Sequence, residues 1–231
     1  MALGHAPSII MDGIVAYIDV ANVRSYPGSG DVVTDLINGF LSTGTGISAS
    51  QMSAIGATFG TNKNTSFSNE LITVSNTSYT KCCWFNLEDV STYQPLICGT
   101  LYQRHCMWMN KTDKLTASHS NTTPFSSPTF TSIAGTTTLS TGIWYFGAVT
   151  YSSTSGFNIY LNNRRDQTSA TTQTFGTSVS GMYFGYFGEF YTSPALPNLN
   201  GTLGPMMYYN RVLSAQEILQ NYNATKRRYG F

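Results

Sequence analysis

Apolar and polar residues alternate with a period of two over several short runs, divided by clusters of Gly, Ser, Thr, Asn and Pro. This pattern predicts β-strands with one buried face, joined by turns. The first run is GIVAYIDV, Gly13 to Val20, and the YPGSGD that follows carries turn chemistry. Residues 38–68 are Gly-punctuated and weakly patterned, as expected of short strands joined by loops. The second half of ELITVSNTSYTKCCWFNLED sets Cys83, Phe85 and Leu87 against Cys82 and Trp84. PLICGTLYQ and HCMWMN follow as short strands. Residues 113–141, rich in Thr, Ser and Pro, are expected to be looped with little core of their own. Ile143 to Tyr151 then predicts a long strand, SSTSG a turn, and Phe157 to Leu161 a strand with Phe157, Ile159 and Leu161 on one face. NNR is a tight turn, because Asn tolerates the left-handed conformation. With SGMYFGYFGEF and GTLGPMMYYNRVL the total is roughly ten to fourteen strands, the signature of an antiparallel sandwich. No repeat of ~20–50 residues suggests a propeller or solenoid.

One stretch breaks the period of two. In YNRVLSAQEILQNYNATKRRYGF, Ser214 and Glu217 are spaced for a reciprocal capping box, and Leu213 and Ile218 for a hydrophobic staple. Ile218, Leu219 and Tyr222 share a face, cations crowd the last turn at Lys226, Arg227 and Arg228, and Gly230 is a stop signal. A short helix therefore closes the chain.

Composition narrows the function. At 231 residues, 41% apolar and 13% aromatic, the chain can bury the core of one sandwich. Charged residues make up only 10%, which weakens repulsion between copies and suits a protein packed against neighbours. A formal charge of +1 offers no field for nucleic acid, and Lys226–Arg228 is read as a solvated helix end. MALGHAPSIIMDG lacks the basic start and apolar run of a secretory signal, and no segment reaches the ~20 apolar residues of a membrane span. Cys82, Cys83, Cys98 and Cys106 lack zinc-like spacing and are read as buried free thiols, with disulfides as the alternative, the first two on opposite faces of a strand.

Three blocks carry a family likeness: GIVAYIDVANVRSYPGSGDVVTDLING, LSTGIWYFGAVTYSSTSGFNIYLNNRRDQTSA and LNGTLGPMMYYNRVLSAQEILQNYNATKRRYG. Together they resemble the laminin-G-like, concanavalin A-like lectin/glucanase jelly-roll domains. The resemblance implies an all-β fold, an antiparallel jelly-roll sandwich with one short C-terminal α-helix. Residues 13–226 would form it, after an N-terminal arm of residues 1–12 and before a basic, aromatic tail of residues 227–231. The opening D-x-x-N-x-x-S-Y-P-G-S-G and the ending NYNATKxRYG look most like members encoded by tailed bacteriophages, which serve as capsid decorations, head fibres and tail appendages. The resemblance thus implies a place on a virion exterior, with other virion proteins and copies of itself as partners. One departure stands out: Gly204 and Pro205 occupy the place of an Asp-Glu pair usual in the family's last strand. Any metal or structural role of that pair is lost, and Pro205 calls for an edge, a bulge or a strand start.

The candidate chemistry is sparse. Glycoside hydrolysis needs two carboxylates across the scissile bond. The nearest acids, Asp12 with Asp19, Asp31 with Asp35, and Glu88 with Asp89, do not alternate on a convincing strand, so no catalytic residue is assigned and no enzyme is expected. Asp31, Asp35 and Asn38 are a tempting calcium set but read better as turn residues, and no metal or cofactor is expected. His5, His105 and His119 lie in unrelated segments. Tyr186, Phe187, Glu189, Phe190 and Tyr191, in a Gly/Pro-rich loop, suit a glycan platform, a protein interface or core. Ile9, Ile10 and Met11 form the apolar part of an arm suited to lie on another subunit, with a disordered terminus or a strand of its own sandwich as the alternative. The reading is a non-enzymatic phage structural protein made in the host cytoplasm without a signal peptide. A carbohydrate-binding adhesin for host glycans is the alternative, and a glycan hydrolase a remote third.

Overall fold

A computed structural model describes residues 7–45, 48–60, 66–69, 77–99, 105–120, 130–172, 181–187 and 198–231. The first strands are β1 (Ile14–Ile18), β2 (Val32–Thr34), β3 (Leu41–Thr45), β4 (Met52–Ser53), β5 (Gly56–Phe59) and β6 (Ser66–Asn69). Next come β7 (Ser78–Leu87), β8 (Gln94–Gly99), β9 (His105–Met109), β10 (Leu115–Ser120) and β11 (Phe130–Ala134). The remainder are β12 (Trp144–Ser152), β13 (Gly156–Leu161), β14 (Arg164–Ser169), β15 (Met182–Phe184) and β16 (Gly201–Tyr209), followed by helix α1 (Ala215–Thr225). Among the described residues they form two sheets with antiparallel pairings. The first runs β14-β13-β12-β7-β16-β5-β4, with β1 also beside β16; the second runs β11-β10-β9-β8-β15-β6-β3-β2.

The main core lies between the sheets and joins Phe85, Leu87, Val149, Phe157, Ile159 and Leu161 to Ile97, Met107, Leu115 and Phe184. Alternation along β7 divides its cysteines as expected: Cys83 enters this core, while Cys82 belongs to a second cluster on the far side of the first sheet. The β13–β14 turn is also as read, with Asn162 at φ 55°. Its side chain and backbone extend the ladder to Phe146, whose N–H donates to Asn162 Oδ1 at 2.9 Å. Residues 113–141 depart from the looped expectation. β10 and β11 place Leu115, Ala117 and Ile133 in the core, and Leu139 beyond them joins it. The intervening Thr116 and Ser118 lie on the other face, so the polar half of an alternating strand resembled loop composition.

Helix α1 has the predicted start. Glu217 N–H donates to Ser214 Oγ at 3.3 Å, and Ser214 N–H donates to Glu217 Oε2 at 2.8 Å. Ile218 and Tyr222 are buried and Leu219 half-buried against Cys82, Trp84, Phe146 and Tyr209. Trp84 stacks on Tyr222 at 5.6 Å and on Tyr229 at 4.3 Å, and its Nε1 donates to Thr225 Oγ1 at 2.7 Å. The helix therefore forms a third layer over the outer face of the first sheet.

Two chain ends held apart in the sequence reading join this layer. Ile9 and Ile10 lie half-buried on the same cluster, whereas Met11 is exposed. Ile10 N–H donates to Asn221 Oδ1 (2.8 Å), Asn221 Nδ2 to Tyr209 Oη (2.9 Å), and Tyr209 O–H to Ile10 O (3.0 Å). This closed triangle satisfies a buried amide and ties the arm to its own helix. The basic end is not simply solvated either. Lys226–Tyr229 forms a 3-10 turn stopped by Gly230 at φ 83°. Arg228 pairs bidentately with the buried carboxylate of Asp19 at 2.7 and 2.9 Å, which holds the guanidinium pKa above its ordinary value.

Pro205 occupies a bulge. The register of β16 against β7 shifts between Leu203 and Met206. On its other side β16 exchanges β5, paired through Leu203, for β1, paired from Met206. A residue without an N–H is tolerated where both ladders are interrupted.

Candidate functional site

The outer face of the second sheet carries a separate aromatic cluster. β9 alternates between Met107 and Met109 in the main core and Cys106 and Trp108 on the other side. Trp108 is half-buried, and its Nε1 donates to Ser118 Oγ on β10 at 3.1 Å. Tyr93 meets it edge-on at 5.2 Å, and Phe187 does so at 5.7 Å. Lys111, exposed in the β9–β10 turn, holds its ammonium 4.9 Å from the Tyr93 ring centre. On the same sheet Tyr183 packs edge-on against Tyr186 at 5.2 Å, and Tyr183 is the ladder partner of Cys98. Two steeply inclined ring contacts and one hydrogen bond thus fix the indole while leaving part of it open.

A second polar group lies inside the sandwich. Lys81, in register with Cys83 and Phe85, crosses the core from β7 to the second sheet and is completely buried. Its ammonium donates to Ile97 O at 3.2 Å and to His105 O at 3.0 Å, and contacts His105 Nδ1. Among the described residues no carboxylate pairs with it. Burial lowers its pKa to about 8, against the opposing pull of Cys106 and Cys98. Burial and the neighbouring Lys81 push His105 well below the ordinary imidazole range. Tyr79 Oη and His119 Nε2, 2.7 Å apart, continue this polar end of the core.

Of the loop residues selected from sequence, Tyr186 and Phe187 are at the aromatic face, Phe187 being buried. Glu189, Phe190 and Tyr191 lie outside the described residues. Trp108 and Tyr93 were not selected, although the alternation of HCMWMN already sends Trp108 away from the methionines. The acids are dispersed. Asp12 pairs with Arg211 at 2.9 Å and Asp19 with Arg228. Asp35 accepts N–H bonds from Tyr17, Ile37 and Asn38, which makes it a turn anchor, whereas Asp31 is exposed. Asp89 accepts from Ser91 and Thr92, bonds that hold its carboxyl below the ordinary range.

Solved structures share this fold at low sequence identity. Trypanosoma rangeli sialidase superposes with a TM-score of 0.65 at 15% identity, over 97% of this chain and 35% of its own. The binding domain of Paraclostridial Mosquitocidal Protein 1 gives 0.67 at 15% identity, over 92% and 52%. The ligand-binding domain of botulinum neurotoxin serotype D, solved with N-acetylneuraminic acid, gives 0.63 at 10%, over 93% and 51%. The chain thus spans about a third of the sialidase and half of each toxin chain. A search of curated protein sequences finds no match. The sequence pattern of the Concanavalin A-like lectin/glucanases superfamily, however, matches residues 59–219, and the chain belongs to that superfamily.

Proposed function

We propose that the chain is a non-catalytic glycan-binding module whose ligand lies across Trp108 on the outer face of the second sheet. The half-open indole fixed by Tyr93, Phe187 and Ser118 carries this reading. An aromatic face held in one orientation stacks on the C–H surface of a sugar without losing rotamer freedom, and hydroxyl and amine groups at its rim serve the sugar hydroxyls. The shared fold of a toxin domain solved with N-acetylneuraminic acid supports it. The dispersal of the described acids into ion pairs and turns supports a binding role over hydrolysis. The test is a glycan array followed by calorimetry on the best ligand with wild type and Trp108→Ala. Affinity should fall about tenfold, the equivalent of ~1.4 kcal/mol, in a variant shown by circular dichroism to be folded at the assay temperature. An array without signal, or undiminished binding by the variant, rejects the assignment.

The setting we infer is the exterior of a phage particle, as a capsid decoration or fibre-type appendage in repeated copies. The phage-like opening and closing blocks and the 10% charged composition support it. Peptide mass spectrometry of purified particles should find the chain in stoichiometric amounts, and antibody should reach it on intact particles. Particles that lack it remove this placement and leave the glycan reading standing.

A further inference from the structure

Cys98 and Cys106 are directly opposed across the β8–β9 ladder, both on the outer side of the second sheet. Opposed residues of an antiparallel pair have Cα atoms ~4.5 or ~5.5 Å apart. Both separations fall within the ~4.4–6.8 Å that a disulfide spans. Both side chains also belong to one small buried cluster, packed together beneath Phe187, Tyr93 and Trp108. The other two cysteines differ. Cys82 and Cys83 point to opposite faces of β7, and their ladder partners are Ala148 and Met207 for Cys82, and Gly147 and Met206 for Cys83. We propose that Cys98 and Cys106 are a modification site, oxidised by a small-molecule disulfide to one cross-strand disulfide while Cys82 and Cys83 remain thiols.

The order of attack follows from exposure. Cys106 retains 3% exposure and Cys98 none, so Cys106 is the entry thiol, reached when the cover of Phe187 and Trp108 opens locally. Its thiolate attacks one sulfur of the small disulfide, breaking that bond and expelling one small thiolate. The Cys98 thiolate then attacks the Cys106 sulfur of the mixed disulfide, forming the Cys98–Cys106 bond and expelling the second. Two electrons pass from the pair to the oxidant, and the two thiol protons end on the two released small thiols. The Lys81 ammonium is placed to assist. It is held by the carbonyls of Ile97 and His105, the residues immediately before each cysteine, and its charge opposes the burial that raises the Cys98 thiol well above its ordinary range. The bond would staple β8 to β9 beneath the aromatic face, though the chemistry does not depend on what that face binds.

The experiment is oxidation of the folded full chain with oxidised glutathione, alkylation of remaining thiols, and peptide mapping without reduction. Expected are one linked pair, Cys98 with Cys106, and Cys82 and Cys83 alkylated only after unfolding. In Cys98→Ser the second step is blocked, so a lasting glutathione adduct should collect on Cys106. Absence of the linked pair in the wild type, or linkage through Cys82 or Cys83, overturns the proposal without any reliance on a variant that folds.

Discussion

Lys81 is a cation set into an apolar core, and its cost depends on pH. Its folded pKa of about 8 lies below the ordinary 10.5, so the native state holds fewer protons than the unfolded state between those values. Stability contributed by losing that charge is absent below pH 8 and accumulates up to pH 10.5, by about 3 kcal/mol at most. Denaturant midpoints measured from pH 7 to 10.5 should therefore rise for the wild type relative to Lys81→Met, which has no charge to lose. Parallel curves for the two proteins would contradict the buried-cation account. This contact was half legible in the sequence. Extending the alternation of Cys83, Phe85 and Leu87 back by two places Lys81 on the inner face. Its partners, Ile97 and His105, sit on other strands, and no local pattern names them. Asp19 with Arg228 is the same case, two residues near opposite ends of the chain brought together by the fold.

At the level of the element, β16 and its helix show what local sequence does and does not determine. The capping box and staple of α1 are short-range, so residues 213–218 reveal them directly. The bulge at Gly204–Pro205 was legible only as a missing donor. Its cause is an exchange of neighbouring strands, together with the approach of Tyr229. A side chain at Gly204 would run into the Tyr229 hydroxyl and come within 2.9 Å of Trp84 Cβ. Tyr229 also donates to Ile55 O at 3.0 Å, which holds the C-terminal turn over the sheet. Gly204→Ala should then cost ~1–3 kcal/mol of overpacking in chemical denaturation. The clash is confined to this corner, so the variant should keep the wild-type denaturant slope. A neutral substitution would mean that the turn carrying Tyr229 is not fixed there. An acidic residue at this position would meet the same obstruction, so the departure from the family's usual pair is matched by packing.

On the scale of the whole molecule, alternation and turn chemistry were enough to specify an antiparallel sandwich closed by a helix. Element identity failed where polar residues dominated a strand's outer face, as in β10 and β11. Only the Tyr186–Phe187 part of the aromatic face was legible, because Trp108 and Tyr93 come from other segments and meet Phe187 only when β8, β9 and β15 align. The sandwich is also asymmetric in a useful way. The arm from Ser8 to Asp12, helix α1 and Phe231 all gather on the outer side of the first sheet, while Trp108 faces outward from the second. A fusion partner or immobilisation tag joined beyond Phe231 therefore leaves from the side opposite the indole, and a sensor surface loaded through that tag would display every copy with the same face toward the analyte.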